Sequence, residues 1–160
     1  MRILVISDSH GSYRDWIKVI EKERKTGFQA FIFLGDGEDD YMIAMRNVVG
    51  TDTYRIRGNN DYNRSIPYTS VVDIGQHRFF LCHGHTFDVD HGLERLENAA
   101  AQNGCHAALF GHTHCRHYSF SNGIHLFNPG SISLPRGGEP YSYGIITDEN
   151  GKLDFFHYDV

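Results

Sequence analysis

Apolar residues recur along the chain with two different spacings, and the alternation between them marks out its elements. Ile3-Leu4-Val5-Ile6, Ala30 to Leu34 and Ala107 to Phe110 are short continuous apolar runs that end in Ser, Gly or Asp, the form of strands buried on both faces. Behind Ser12, which with Asp15 resembles a capping box, Tyr13, Trp16, Ile17 and Ile20 follow at helical spacing until Gly27 stops the helix. A shorter helix is predicted over Glu38 to Arg46, and a third strand over Thr53 to Arg57. Strand and helix therefore alternate in the first third, the pattern of a parallel sheet with covering helices.

The character then changes. Thr69 to Ile74 and His77 to Cys82 flank Gly75-Gln76, a two-residue hairpin turn with Gly first. Leu93, Leu96 and Ala100 predict another helix, closed by Gly104, and Asn122-Gly123 and Asn150-Gly151 predict two further hairpins. No linker, low-complexity segment or internal repeat breaks the 160 residues. The expected organisation is one α/β domain over 1–160 with a mixed sheet system, long enough to bury roughly two-thirds of its unfolded surface without a staple.

Composition narrows the function classes. A hydrophobic fraction of 40% and a charged fraction of 22% are ordinary for a globular chain. A net charge of −5 argues against extended binding to duplex nucleic acid, although a phosphate-bearing substrate stays compatible with it where cations dominate the local field. Three cysteines, odd in number and without C-x-x-C spacing, point to free thiols and a reducing compartment. The four apolar residues before Ser7 are too few for a signal peptide, and no run approaches the ~20 residues of a membrane span, so a cytoplasmic protein without a membrane partner is expected.

Eleven histidines are the unusual count, and several sit beside carboxylates and glycines at the ends of predicted strands. Asp8, His10, Asp36, Asn59, His83, His112 and His114 are metal-capable side chains at five such ends. Open α/β sheets place their sites just outside the carboxyl ends of strands, so these residues can converge. Within Asp8-Ser9-His10 and His112-Thr113-His114 the spacing is two, which in extended chain points both side chains the same way. Carboxylate, amide and imidazole ligands without thiolate suit borderline divalent ions better than calcium. Seven ligands suit two ions ~3.5–4 Å apart, the arrangement for in-line displacement at phosphorus.

The ordered series Asp8-Ser9-His10, Gly35-Asp36, Gly58-Asn59-Asn60-Asp61, His83-Gly84-His85 and Gly111-His112-Thr113-His114 resembles the calcineurin-like metallophosphoesterases. With Asn128-Pro129-Gly130-Ser131 it is similar to their small YfcE-type phosphodiesterases. The resemblance implies a four-layer α-β-β-α sandwich with two mixed sheets. It implies a first ion held by Asp8, His10, Asp36 and His114, and a second held by Asn59, His83 and His112, with Asp36 bridging and a bridging hydroxide as nucleophile. Manganese is the expected ion, with iron, zinc and nickel as alternatives. The substrate would be a small phosphate ester, a diester before a monoester, and a homo-oligomer is left open.

The chain departs from the family at Asn60, where the commonest motif has histidine. An amide can donate to a phosphoryl oxygen but supplies no proton at neutral pH, so Asn60 is assigned that contact, and esters with acidic leaving groups are expected to be favoured. Asp61 would then hold Asn60 or a loop. The alternative is a non-catalytic interaction scaffold resembling the retromer subunit of this superfamily; a metallo-amidohydrolase would show His-x-His on the first strand. The remaining histidines are expected at the surface or in hairpins, His85 being nearest to a site role. Asp39 and Asp40 are expected as an acidic pair favoured by a helix dipole.

Overall fold

The computed structural model describes residues 1–48 and 50–160. Among the described residues, ten strands and three α-helices follow in the order β1 (Arg2–Ile6), α1 (Tyr13–Arg24), β2 (Ala30–Phe33), α2 (Glu38–Ala44), β3 (Asp52–Arg55), β4 (Thr69–Ile74), β5 (His77–Cys82), α3 (Glu94–Gln102), β6 (Ala107–Leu109), β7 (Arg116–Ser121), β8 (Ile124–Pro129), β9 (Ser142–Glu149) and β10 (Lys152–Asp159). They form two five-stranded mixed sheets, β10-β9-β1-β2-β3 and β4-β5-β6-β8-β7. β1, β2 and β3 run parallel, as do β5, β6 and β8.

The strand parity explains the layers. Ile3, Val5, Ala30, Ile32 and Leu34 meet Phe79, Leu81, Ala107, Leu109 and Phe127 in one cluster between the sheets. The alternate residues Leu4, Ile6, Phe31 and Phe33 pack instead against Trp16, Val19 and Ile20 of α1 and Tyr41 of α2. On the second sheet Phe80, Cys82, Ala108 and Phe110 pack against Leu96 and Ala100 of α3. The continuous apolar runs are thus strands with both faces covered, and the order of layers is α-β-β-α. Trp16, wholly buried with its ring 4.7 Å from that of Phe33, pins α1 to the sheet.

The hairpins follow their turn residues. Asn122 and Gly123 have φ of 48° and 82°, and Asn150 and Gly151 have 54° and 85°, as the twisted two-residue turn requires; at Gly75-Gln76 only Gly75 is positive, at 63°. Some local expectations shift. Ser12 stands at the N-cap position but caps no amide; its hydroxyl donates to Asp15 Oδ2 instead. The second helix gives way to a 3₁₀ turn at Met45–Asn47, and the third strand begins and ends earlier than its apolar pattern suggests. Among the described residues, no helix is long and apolar enough to cross a membrane.

Candidate metal centre

The parallel strands of both sheets end at the same side of the molecule, and each delivers polar side chains there. Asp8 and His10 follow β1, Asp36 follows β2, Asn59 and Asn60 follow β3, His83 and His85 follow β5, and His112 and His114 follow β6. His114 Nε2 lies 3.4 Å from Asp8 Oδ1 and 3.2 Å from His10 Nε2. His83 Nε2 lies 3.8 Å from Asp8 Oδ1 and 3.5 Å from Asp36 Oδ2. Asp36 Oδ2 is also 3.7 Å from His10 Nε2, so this one oxygen faces rings on both sides. The His112 ring centroid is 5.2 Å from that of His83.

Each of three imidazoles has one nitrogen committed elsewhere. His83 Nδ1 meets the Leu34 carbonyl at 2.7 Å and His114 Nδ1 the Leu134 carbonyl at 2.6 Å. A carbonyl only accepts, so both Nδ1 atoms carry hydrogen and both Nε2 atoms turn to the carboxylates. His112 is reversed: its Nε2 meets Asp90 Oδ2 at 3.0 Å, which leaves Nδ1 free. Asp8 Oδ2 accepts from the Ser7 hydroxyl at 2.6 Å and the His112 amide at 3.1 Å. Its other oxygen, Oδ1, and His83 Nε2 are buried without a hydrogen-bond partner.

The charges register this crowding. Burial alone would lower the His83 pKa, but Asp36 and Asp8 outweigh it and push it up to about 9. Burial would likewise raise Asp36, yet His83 and the Asn60 hydrogen bonds hold its carboxyl far below the usual range. A proton on His83 therefore supplies positive charge where two buried carboxylates demand it.

The backbone here is strained. Asp8, His10, Asp36, His112 and His114 have φ between 43° and 71°, a region that residues other than Gly seldom enter and that clusters at functional sites. This corrects the extended-chain argument for the Asp8/His10 and His112/His114 pairs. They converge because left-handed turns fold the chain back after each strand, and His112 and His114 go to neighbouring positions. Two glycines allow the close packing: a Cβ on Gly58 would lie 2.0 Å from Asp36 Oδ1, and one on Gly111 would lie 2.1 Å from Ser7 Oγ.

Other residues hold these turns. Asp61 accepts four amides, from Asp36, Gly37, Glu38 and Gly58, at 2.8–3.0 Å, so it holds the loop rather than Asn60. Asp39 and Asp40 stand in the first turn of α2 as expected, but Asp40 does more than face the helix dipole: it is buried and accepts from the Ser9 hydroxyl at 2.6 Å and the Gly11 amide at 2.8 Å. The Ser131 hydroxyl donates to the Asp8 carbonyl at 2.6 Å, and Asn128 Nδ2 donates to the Gly111 carbonyl at 2.9 Å. Asp40 carries no sequence signal beyond its turn-rich surroundings. Asp61 and the Asn128–Ser131 segment stood inside quoted motifs, but their hydrogen-bonding role is visible only in three dimensions.

Asn59 and Asn60 are both exposed, and Asn60 is tied to Asp36 through its backbone amide at 2.8 Å and its side-chain amide at 2.5 Å. Beside the centre a cleft of about 210 Å³ opens between His10, Asp36, Asn60, Glu38, Asp39 and Tyr62. Among the described residues, two groups have ligand atoms within 4.8 Å of one another: Asp8, His10 and His114, and Asp8, Asp36 and His83. The oxygen and imidazole donors, with one buried carboxylate oxygen unpartnered, fit divalent cations.

A profile of the Calcineurin-like phosphoesterase superfamily domain matches residues 1–151. The chain is 31% identical to Phosphodiesterase YfcE of Escherichia coli K12 over 93% of its length and 89% of that relative. A solved structure of YfcE from E. coli, a phosphoesterase, superposes with a TM-score of 0.74 at 27% identity, covering 92% of this chain and 89% of that one. Wild-type Vps29 of Entamoeba histolytica complexed with Zn²⁺ shares the fold at a TM-score of 0.78 and 20% identity over 99% of each chain. The chain thus belongs to the calcineurin-like phosphoesterase superfamily.

Proposed function

We propose that this chain is a divalent-metal-dependent phosphodiesterase. Asp8, His10, Asp36 and His114 would hold one ion, and Asn59, His83 and His112 a second, with Asp36 shared. The reading is carried by one observation: Asp8 Oδ1 is buried without a hydrogen-bond partner among imidazole nitrogens 3.4–4.0 Å away. An unpaired buried charge costs on the order of several kcal/mol, and a cation removes that cost. Asp36 Oδ2, which faces His10 on one side and His83 on the other, supports the shared role.

Bound there, such ions would lower the pKa of water and neutralise charge on phosphoryl oxygens. The chain's own residues supply the remainder. Leu34 and Leu134 fix the orientation of His83 and His114, and Asp90 that of His112. Asn60, with its amide directed at Asp36, orients that carboxylate and offers its second N–H to a phosphoryl oxygen. An amide gives up no proton at neutral pH, so Asn60 does not protonate the leaving oxygen and esters with acidic leaving groups are favoured.

Metal-stripped protein assayed on bis(p-nitrophenyl) phosphate should be inactive and should recover turnover with manganese more than with iron, zinc or nickel. Absence of turnover with every ion, together with tight ion binding, would favour the scaffold reading instead. Failure to bind any ion would sink both.

A further inference from the structure

Beside His83 and His112, outside the lining of the acidic cleft, stands a group of a different kind. The Arg57 guanidinium lies 3.8 Å from the centroid of the Tyr68 ring. Its Nε is buried without a hydrogen-bond partner, and among the described residues no carboxylate pairs with it. The edge of the same Tyr68 ring meets His85 at a centroid distance of 5.1 Å. His85 in turn sits 5.5 Å from the His83 ring and 6.0 Å from the His112 ring, and its Nδ1 is also buried and unpartnered. Arg57 and His85 each lie two residues from a proposed ligand, Asn59 and His83. The Arg57 amide donates to the Pro67 carbonyl at 2.9 Å, which ties the start of this group to the segment leading into β4.

An arginine that is neither paired nor fully hydrated, stacked on a ring that fixes its plane, is a preorganised anion receptor. Anions at the neighbouring metal positions are phosphoryl oxygens. We propose that Arg57, held in place by Tyr68, and His85 together anchor the non-bridging oxygens of the substrate's phosphoryl group. They add to the single amide contact that Asn60 offers. This rests on the phosphoesterase reading of the metal centre. The acidic wall formed by Glu38 and Asp39 then repels the phosphoryl group, so the neutral or cationic arm of the ester lies on that side.

The test uses the manganese-loaded full chain with inorganic phosphate as probe, its binding followed by calorimetry, and with bis(p-nitrophenyl) phosphate for kinetics. R57Q should weaken phosphate binding by roughly tenfold or more, the scale of a charge-assisted hydrogen bond, and raise KM more than it lowers kcat. R57K should recover only part of that loss, because an ammonium has neither the fork nor the stacking plane. Tyr68→Leu should weaken phosphate by about threefold, whereas Tyr68→Phe keeps the ring and should bind like the wild type. Manganese stoichiometry should stay unchanged in all four. Phosphate affinity within twofold of wild type in R57Q would overturn the anchor, and so would a loss of phosphate matched by an equal loss of manganese. Wild-type protein that binds phosphate through Arg57 yet turns over no ester would sink the phosphoesterase reading while leaving the anchor standing.

Discussion

The second sheet carries histidines at both of its ends, and the two ends behave differently. At the carboxyl ends of β5 and β6, His83, His112 and His114 surround Asp8 and Asp36. At the opposite end, His77, His106 and His125 line a cavity of about 540 Å³ with Tyr118, Phe120, Lys152 and Asp154. His77 closes the Gly75-Gln76 hairpin opposite Ile74, is buried there and faces Asp148 at 3.3 Å. His106 Nδ1 accepts the Arg78 amide at 3.0 Å, and the His125 ring lies 4.5 Å from Phe120 and 4.8 Å from Phe155. Both groups of residues close enough to hold a cation, among those described, lie at the carboxyl end. Among the described residues, the three histidines of the far cavity do not bring their ligand atoms together as closely. What separates the two ends is a buried carboxylate oxygen without a partner, set on backbone held in left-handed turns.

That contrast is open to attack at its most sensitive point. Asp36→Asn removes the carboxylate whose single oxygen faces both His10 and His83. Turnover with manganese should fall by about a thousandfold or more, the scale of losing a preorganised charge in the transition state. The fold should survive, because the amide oxygen keeps one of the two hydrogen bonds from Asn60 and Asp61 still holds the loop. Calorimetry should show the loss of one bound ion; unaltered kinetics and stoichiometry would contradict the shared role.

Asp8→Asn should change stability in opposite directions with and without metal. In the stripped protein above about pH 9, where His83 has lost its proton, the charge at Oδ1 has no counter-charge, and an amide of the same shape should stabilise the fold there by roughly 1–3 kcal/mol. Added manganese should raise the melting temperature of the wild type far more than that of the variant, since only tight binding to the native state shifts unfolding. At that pH the order of the two melting curves should therefore invert on metal addition. A variant that is less stable under both conditions would show that Asp8 is an ordinary structural carboxylate.

These features differ in how far the sequence discloses them. Continuous apolar runs such as Ala30 to Leu34 and the Asn-Gly pairs at 122–123 and 150–151 act through short-range sterics and burial, so the strands and hairpins are legible. The proposed ligand positions stand out in the sequence because His83 follows an apolar run directly, Asp8 and Asp36 follow one at a single residue's remove, and His112 and His114 come just after Gly111. Asp40 and Asp61 are not, because their partners are backbone amides that become neighbours only when three strands lie side by side. The same limit hid the burial of His77 against Asp148 from the other sheet, and the left-handed turns, which no residue type at Asp8 or His114 demands.

The His83 proton gives a pH dependence. Its folded-state pKa of about 9 lies above the ordinary 6.5, so the stability it contributes to the stripped protein is complete below pH 6.5 and is lost as the pH rises through 9. A cation at this position displaces that proton. Apparent affinity should thus climb by about tenfold per pH unit up to about pH 9, with about one proton released per ion near neutrality. Calorimetry in buffers of different ionisation enthalpy measures the release; a pH-independent affinity would remove His83 from the ligand set.

The smallest effect belongs to the other end of the sheet and completes the contrast. His125→Phe leaves an aromatic ring between Phe120 and Phe155 and forfeits only the 3.1 Å contact with the Tyr118 hydroxyl. Stability at neutral pH should change by less than about 1 kcal/mol, the worth of one exposed hydrogen bond, and manganese-dependent turnover should stay within about twofold. Burial holds the His125 pKa below its ordinary 6.5, so the unfolded chain takes up a proton there first. The wild type therefore loses stability as the pH falls through 6.5, and the phenylalanine variant should lose less over the same interval. A large fall in turnover on His125→Phe would mean that the far cavity takes part in catalysis, and the division between the two ends would have to be redrawn.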